Sequence, residues 1–374
     1  MPSAVETADR DRAVGAHVAD SRRPSLFLLP AGATIAGWLA ASAALGIALP
    51  RASVVAAVLP LALGPAAAVI LFTVAVVLLL RATRRWGRLI LLPWLGVVLV
   101  AVYSTSIAFA AAYPPRPAAG EPPSGATWAS MTAADGTALA GWYIPSRNGA
   151  AVVLRHGAGS TSSHTIAQAR VLQAAEYGVL LTDARGHGAS GGQAMALGWY
   201  GESDINAAVD YLESRAEVDP HRIAVVGLSM GGEEAIGAAG VDQRICAVAA
   251  EGATGRTAAD KAWLVEEYGI AGVVQQGLDT VTYALIEVLT PAPRPDSLVD
   301  SLAGADRTPF LLIAAGDEQD EELVARRLQR IDPSRVSIWV APGVEHTQAL
   351  QSSREEWVSR VVGFLDESFG GCER

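Results

Sequence analysis

The stretch Gly227-Leu228-Ser229-Met230-Gly231 has the pattern Gly-x-Ser-x-Gly and decides the fold. It follows the apolar run 223–226 directly and precedes a run of small, helix-compatible residues at 232–239. A strand that turns this tightly into a helix strains its middle residue, and flanking glycines avoid clashes with the neighbouring strand and helix. The pattern therefore predicts that Ser229 presents its Oγ at the end of a strand, with the positive end of a helix behind it.

Short apolar runs alternate with longer amphipathic runs from Thr127 onward. A hairpin signal, Asp135-Gly136, lies between the first two apolar runs. The later apolar runs are expected to form buried strands, at 151–154, 179–182, 223–226, 245–250, 310–314 and 336–340. Helical spacing occurs at 165–177, 202–215 and 357–364. This alternation predicts an α/β fold in which helices flank a mostly parallel sheet.

Three uncharged apolar runs, at 26–50, 52–80 and 89–115, precede this domain. Each exceeds the ~20 residues with which a helix crosses a ~30 Å hydrocarbon core. The fold class is therefore an α/β domain preceded by three transmembrane helices. The expected organisation is a cytoplasmic tail at 1–25, a three-helix transmembrane section at 26–112, a Pro-rich linker at 113–126 and the α/β domain at 127–374. Within that domain, residues 253–308 break the alternation and are expected to form a lid-like insertion.

Charge is distributed unevenly along the chain. The segment 81–88 carries four arginines and no acid, and two more arginines lie just before the first apolar run. The positive-inside rule then predicts that the N-terminus and segment 81–88 are cytoplasmic and that the α/β domain is extracytoplasmic, at a cell or inner membrane. Residues 125–374 carry 18 basic against 33 acidic residues, which argues against nucleic acid as a partner.

The chain has two cysteines, Cys246 and Cys372. A disulfide between them is possible outside the cytoplasm, but two unpaired thiols are the preferred expectation. No group of residues has metal-ligand spacing, so neither a metal nor another cofactor is expected.

If Ser229 is a nucleophile, its base must follow it in the chain order Ser, acid, His. His346 is the only one of six histidines that lies after Ser229. The acid is expected in the loop 316–321, which contains several carboxylates. Asp320 is preferred, Asp317 is the alternative and Glu318 ranks third.

Two backbone N–H groups are needed to stabilise the oxyanion that forms during attack on a carbonyl. Met230, directly after the nucleophile, and Ala158, in the loop after the strand at 151–154, are the predicted donors. His156 and His187 are expected to pack and form hydrogen bonds within their loops rather than act as bases. Arg155 is expected to form an outward salt bridge, with binding of an anionic group as the alternative.

The chain resembles the α/β-hydrolase superfamily over roughly residues 127–368. The resemblance rests on His156-Gly157, on Asp183-x-Arg185-Gly186-His187-Gly188-x-Ser190, on the Ser229 motif and on Gly343-x-x-His346. Within the superfamily it is similar to serine esterases and to prolyl-oligopeptidase-like catalytic domains. Members usually place the acid three residues after the loop glycine, where this chain has Gln319, so Asp320 requires a shift of one residue.

These observations predict a membrane-anchored serine hydrolase that cleaves carboxylic esters through a Ser-His-Asp triad and an acyl-enzyme, in class EC 3.1.1 ahead of 3.4. Cleavage of amides or peptides, acyl transfer, and a non-catalytic membrane scaffold or sensor are the alternatives. The expected partners are a small acyl-containing substrate and the lipid bilayer. The identity of the substrate and the oligomeric state stay open.

Overall fold

The computed structural model describes residues 25–48, 55–83 and 89–372, which divide into two compact units between Ala110 and Ala111. The N-terminal part contains three long apolar helices: α1 (Ser25–Ala43, continued by a π-helical turn at Ala44–Ala48), α2 (Val55–Ala82) and α3 (Leu91–Ala112). Three segments in them are long and apolar enough to cross a membrane: Leu28–Ala48, Leu63–Arg81 and Leu91–Ala112. The predicted tail up to residue 24 and the arginines at 84, 85 and 88 lie outside the described residues.

Two tryptophan side chains within the apolar helices form hydrogen bonds to neighbouring helices. The Trp38 Nε1–H group lies 3.1 Å from the Ala101 carbonyl oxygen and 3.2 Å from the Thr105 hydroxyl. The Trp94 Nε1–H group likewise donates to the Thr34 hydroxyl at 3.2 Å. Such pairing satisfies polar groups that would be costly to leave unpaired in an apolar surrounding.

The second unit is built on an eight-stranded sheet with the order β1-β2-β4-β3-β5-β6-β7-β8. The strands are β1 (Thr127–Thr132), β2 (Ala138–Ile144), β3 (Ala151–Arg155), β4 (Gly178–Thr182), β5 (Ile223–Leu228), β6 (Ile245–Glu251), β7 (Phe310–Ala315) and β8 (Val336–Ala341). β2 runs antiparallel to both of its neighbours, and every other pairing is parallel. The predicted α/β fold with a mostly parallel sheet is therefore confirmed.

Helices cover both faces of this sheet. They are α4 (Ile166–Ala174), α5 (Gly201–Glu213), α6 (Met230–Val241), α7 (Trp263–Tyr268), α8 (Ile270–Leu289), α9 (Leu298–Gly304), α10 (Gln319–Ile331), α11 (Ala349–Ser352) and α12 (Arg354–Cys372). The five strands β3 to β7 are buried at every residue, because apolar clusters pack on both of their faces. The predicted insertion at 253–308 contains α7, α8, α9 and a short 3₁₀ turn at Ala258–Lys261.

The turn from β5 into α6 leaves no space for side chains at its glycines. A Cβ atom on Gly227 would lie 2.1 Å from the Gly231 carbonyl oxygen. A Cβ atom on Gly231 would lie 2.7 Å from the carbonyl oxygens of Arg155 and His156 at the end of β3. Ser229 between them has φ 54°, a backbone conformation that residues other than glycine rarely adopt.

The predicted linker lies within the second unit. Residues 113–126 form no helix or strand. The Tyr113 hydroxyl donates to the Leu289 carbonyl oxygen at 2.6 Å, and the Gly188 N–H donates to the Pro117 carbonyl oxygen at 3.2 Å. These contacts hold the segment against the end of α8 and against the loop after β4.

A disulfide joins Cys246 in β6 to Cys372 at the end of α12. The expectation of two unpaired thiols is therefore wrong. Packing of α12 against the sheet brings the cysteines together across 126 residues of sequence, and the Tyr177 and Phe369 rings meet at 5.5 Å in the same apolar cluster.

We predict that Gly227→Ala lowers the free energy of unfolding by about 3 kcal/mol, since its new methyl group overlaps backbone that cannot move independently. Gly363→Ala is the matched control. Gly363 is exposed in α12 and has no atom within 4 Å of its would-be Cβ, so this change is expected to be neutral or slightly stabilising. Thermal unfolding of the solubilised protein checks both. Equal unfolding temperatures in the two variants would contradict the steric argument.

Candidate active site

Ser229 lies at the carboxyl end of β5, where the strained turn aims its side chain away from the sheet. Its backbone N–H donates to the Glu251 carbonyl oxygen of β6 at 2.7 Å, which ties the turn to the neighbouring strand. The Ser229 Oγ lies 2.9 Å from the His346 Nε2 atom. The structure thus brings together the two side chains that the sequence analysis singles out as nucleophile and base.

His346 lies in the loop after β8 and is half-exposed. Its Nδ1 atom is 2.5 Å from the Glu321 Oε1 atom. With Nδ1–H donating to that carboxylate, Nε2 is the free acceptor that faces the Ser229 hydroxyl. The three side chains form one continuous hydrogen-bond chain from carboxylate to imidazole to hydroxyl.

Glu321 occupies the position that the sequence analysis assigns to Asp320, with Asp317 as its alternative. The structure places neither aspartate against His346: both are exposed, as is Glu318. α10 begins at Gln319, so successive residues are rotated by about 100°, and Glu321 faces inward where Asp320 faces outward. The Glu321 carboxylate is buried, and its Oε2 accepts the Ala315 N–H at 2.8 Å.

A helical pattern in the sequence points to the inward orientation of Glu321. Val324, Ala325 and Leu328 follow it at the spacing of one helix face, and all four residues are buried. That helical spacing identifies Glu321 in the sequence. The number of residues that separate the acid from Gly316 does not identify it.

The environment of His346 favours its protonated form. The hydrogen bond to Glu321 is the largest cause that raises the pKa of His346, and partial burial opposes it. The negative charges of Glu321, Glu318 and Glu251 raise this pKa further. The site therefore stabilises an imidazolium ion, the species that would form if this side chain took a proton from Ser229.

The backbone around Ser229 offers the two predicted oxyanion donors. Met230 is the first residue of α6, and Ala158 lies in an exposed loop after β3. Within the described part of the chain, neither N–H donates to another residue. A Cβ atom on Gly157 would lie 3.2 Å from the Ser229 Cβ atom, so the Ala158 loop passes directly beside Ser229.

Glu251, at the end of β6, links the serine turn to the segment after His346. Its backbone oxygen accepts the Ser229 N–H, and its carboxylate accepts the Ala349 N–H at 2.9 Å and the Trp357 Nε1–H at 3.2 Å. Burial raises the pKa of Glu251. No local sequence pattern marks Glu251, because only the fold brings residues 229, 251 and 349 together.

Glu233, in the first turn of α6, holds the start of the insertion. Its buried Oε1 atom accepts the N–H groups of Thr254 at 3.0 Å and Gly255 at 2.7 Å. Burial is the largest cause that raises the pKa of Glu233. A second buried carboxylate thus fixes the chain where it leaves β6.

Arg155 forms a buried ion pair with Glu234, so the expectation of an outward salt bridge is wrong. Its Nε and Nη2 atoms lie 2.8 Å and 2.6 Å from the Glu234 Oε2 atom, and its Nη1 atom donates to the Thr182 hydroxyl at 3.1 Å. Burial raises the pKa of Glu234 to about 7, although the Arg155 charge lowers it. Arg155 is buried and its guanidinium group is bonded to Glu234 and Thr182, so it is not available to bind a substrate anion.

His156 and His187, in the loops after β3 and β4, have structural hydrogen bonds, as expected. His156 accepts the Ala184 N–H at its Nε2 atom and faces the Gly157 carbonyl oxygen with its Nδ1 atom. Burial lowers the pKa of His156 to about 3, which keeps its ring neutral. The His187 Nδ1 atom faces the Arg185 carbonyl oxygen at 3.0 Å. Neither ring is bonded to Ser229.

The loop after β4 is locked by charged side chains. Asp183 accepts the backbone N–H groups of Ser162 and Ala189, both at 2.8 Å. Arg185 pairs with the buried Asp204 at 2.9 Å and with Asp135 at the hairpin.

Among residues 25–48, 55–83 and 89–372, no group of three or more His, Cys, Asp or Glu side chains is arranged to hold a metal ion.

Residues 146–266 match the family described as serine aminopeptidase, S33. The chain is 32% identical over 168 residues to the uncharacterized protein YfhR of Salmonella typhi. The aligned region covers 43% of this chain and 56% of YfhR. It is 31% identical over 112 residues to the alpha/beta hydrolase domain-containing protein WAV2 of Arabidopsis thaliana, covering 29% of this chain and 35% of WAV2. The chain thus matches little more than half the length of YfhR.

A solved structure shares the architecture. The Pyrococcus furiosus esterase Pf2001 superimposes with a TM-score of 0.54 at 25% sequence identity, which covers 68% of this chain and 97% of that one.

We predict that Arg155→Met lowers the free energy of unfolding by about 3–5 kcal/mol at pH 9, because the ionised Glu234 is then buried without a partner. The double variant Arg155→Met/Glu234→Leu removes that unpaired carboxylate and is expected to recover most of the loss. The single variant's loss should shrink toward pH 6. Burial raises the pKa of Glu234 to about 7 even beside Arg155, and loss of the arginine raises it further, so the carboxyl group is then protonated. Thermal unfolding at both pH values measures this. A double variant no more stable than the single one would contradict the ion-pair argument.

Proposed function

We propose that this protein is a membrane-anchored serine hydrolase of the α/β-hydrolase superfamily that cleaves carboxylic esters. The hydrogen-bond chain Ser229–His346–Glu321 carries this proposal. The likeness to the Pyrococcus furiosus esterase supports esters as the substrate class. The description of the matching family as a serine aminopeptidase supports amide or peptide cleavage as the second candidate.

In the proposed reaction, the Ser229 Oγ attacks the acyl carbonyl carbon while the His346 Nε2 atom takes the hydroxyl proton. Glu321 keeps the Nδ1–H group oriented and stabilises the imidazolium. The N–H groups of Met230 and Ala158 donate to the oxyanion. His346 then returns the proton to the leaving alcohol. A water molecule, deprotonated by the same histidine, cleaves the acyl-enzyme and releases the carboxylic acid and free Ser229.

The proposed anchor is the set of three apolar helices, with the hydrolase domain on the extracytoplasmic side. Two observations support this orientation. The arginines of segment 81–88 favour a cytoplasmic location for that segment, and the Cys246–Cys372 disulfide is typical of an oxidising compartment.

We expect a fluorophosphonate probe to label the detergent-solubilised wild-type protein, because an activated serine attacks its phosphorus atom. Ser229→Ala and His346→Ala should both abolish labelling. His221→Ala, which changes an exposed histidine away from the site, should leave it intact. Labelled wild type then justifies comparing matched ester and amide substrates to decide between the two candidates. A folded wild type that stays unlabelled would sink the proposed serine chemistry.

Glu321→Gln should reduce kcat by roughly 10³- to 10⁴-fold, since it removes the carboxylate that orients and stabilises His346. Asp320→Asn, one residue away and exposed, is the matched control and should keep activity within about twofold. Loss of activity in the control but not in Glu321→Gln would show that the acid is assigned wrongly.

The role of Glu321 also predicts how the activity depends on pH. The base must be neutral, so activity rises as pH increases through the pKa of His346. Glu321 raises that pKa above its ordinary value of 6.5, and the residual activity of Glu321→Gln should therefore have its acidic limb at lower pH. Profiles of kcat/KM against pH measure the shift. An unchanged or upward-shifted limb would contradict the assigned role.

A further inference from the structure

Helix α8 turns its apolar side outward. Its large side chains at one face are strongly exposed: Ile270 at 86%, Val273 at 56%, Val274 at 60%, Val281 at 45% and Val288 at 83%. Gly277 and Ala284 are exposed on the same face. Together these residues form a stripe along a helix about 30 Å long, and we call it the α8 stripe.

The polar side chains of α8 lie off the stripe, and most of them face the protein; Thr280 and Glu287 are exposed beside the stripe. Gln275, Gln276 and Asp279 are half-buried, and the Gln275 amide nitrogen donates to the Asp279 carboxylate at 2.9 Å. Thr282 is buried and donates to the Leu278 carbonyl oxygen. A helix on a water-facing surface has the opposite arrangement, with its apolar face toward the core. The α8 stripe therefore indicates an apolar surrounding outside the protein.

The C-terminal end of α8 is held at the end of a candidate membrane span. The Leu289 carbonyl oxygen accepts the Tyr113 hydroxyl at 2.6 Å. Tyr113 directly follows Ala112, the last residue of the span Leu91–Ala112. The Ala112 carbonyl oxygen in turn accepts the Gln193 side-chain amide at 3.0 Å. Because a span ends at the membrane surface, and tyrosine is enriched at that level, one end of α8 is placed there.

We propose that α8 lies in the interface of the bilayer that the N-terminal helices span, with the α8 stripe among the lipid acyl chains. This inference rests on the proposed membrane anchoring and is independent of the ester chemistry. Such helices bury their apolar face about 5–10 Å into the headgroup and acyl boundary.

The charge of α8 identifies the force that holds it there. Asp279 and Glu287 are its only charged residues, and neither belongs to the stripe. A helix without cations gains nothing from anionic lipids, so apolar burial drives its association. The contact should therefore be independent of salt and form on uncharged phosphatidylcholine membranes.

The test uses the full chain in phosphatidylcholine vesicles, some of whose lipids carry a nitroxide on the acyl chain. A fluorophore is attached to single cysteines introduced as Val274→Cys and Val288→Cys. Val241→Cys is the matched control, since Val241 is 58% exposed but ends α6 at the opposite edge of the sheet. Leu99→Cys, on the exposed side of the third candidate span, reports separately on insertion. Only variants that keep the parent unfolding temperature are compared.

We expect several-fold quenching at 274, 288 and 99, none at 241, and no change in high salt. Quenching at 99 but not at 274 or 288 overturns the interfacial position of α8 and leaves the anchoring in place. Absence of quenching at 99 overturns the anchoring and the inference with it. Equal quenching at 241 and 274 also overturns the inference, because contact with lipid is then not specific to the stripe.

Discussion

The close approach of α6 to β3 and β5 is the constraint on which the site depends. At Gly231 the helix passes so near the carbonyl oxygens at the end of β3 that even a methyl group has no space, and Gly227 meets the same limit within the turn. This approach forces Ser229 to its positive φ angle and directs its Oγ above the sheet edge. The loop that contains Ala158 follows the same end of β3, so one steric arrangement positions both Ser229 and the proposed backbone donor.

Buried glutamates hold the loops around that turn. Glu233 binds the N–H groups at 254 and 255, Glu251 binds those of Ala349 and Trp357, and Glu321 binds that of Ala315. Each uses a carboxylate to satisfy N–H groups close to the carboxyl edge of the sheet, where the strands no longer pair them. Two of the same carboxylates, Glu251 and Glu321, also raise the pKa of His346. The groups that fix the loops thus set the electrostatics of the site.

The sequence predicted the parts of this site that depend on local pattern. The glycine motif placed Ser229 on a strand-to-helix turn, and the chain order left His346 as the only candidate base. The choice between Asp320 and Glu321 depends on the residue at which α10 begins, and a shift of one residue moves a side chain from solvent to the interior. The Arg155 side chain points into the protein because it pairs with Glu234 there. The disulfide forms because α12 packs against the sheet and brings Cys372 to Cys246. These three features depend on tertiary packing, and the spacing of residues along the sequence does not predict them.

The backbone strain at Ser229 also links local stability to the side chain that this turn carries. A residue other than glycine at φ 54° costs about 1 kcal/mol or more, and glycine would adopt the same turn without that steric cost. The hydroxyl group at this position is therefore present at the expense of stability in the turn. The position at which the fold presents a polar side chain above the sheet is thus also one at which its backbone is least relaxed.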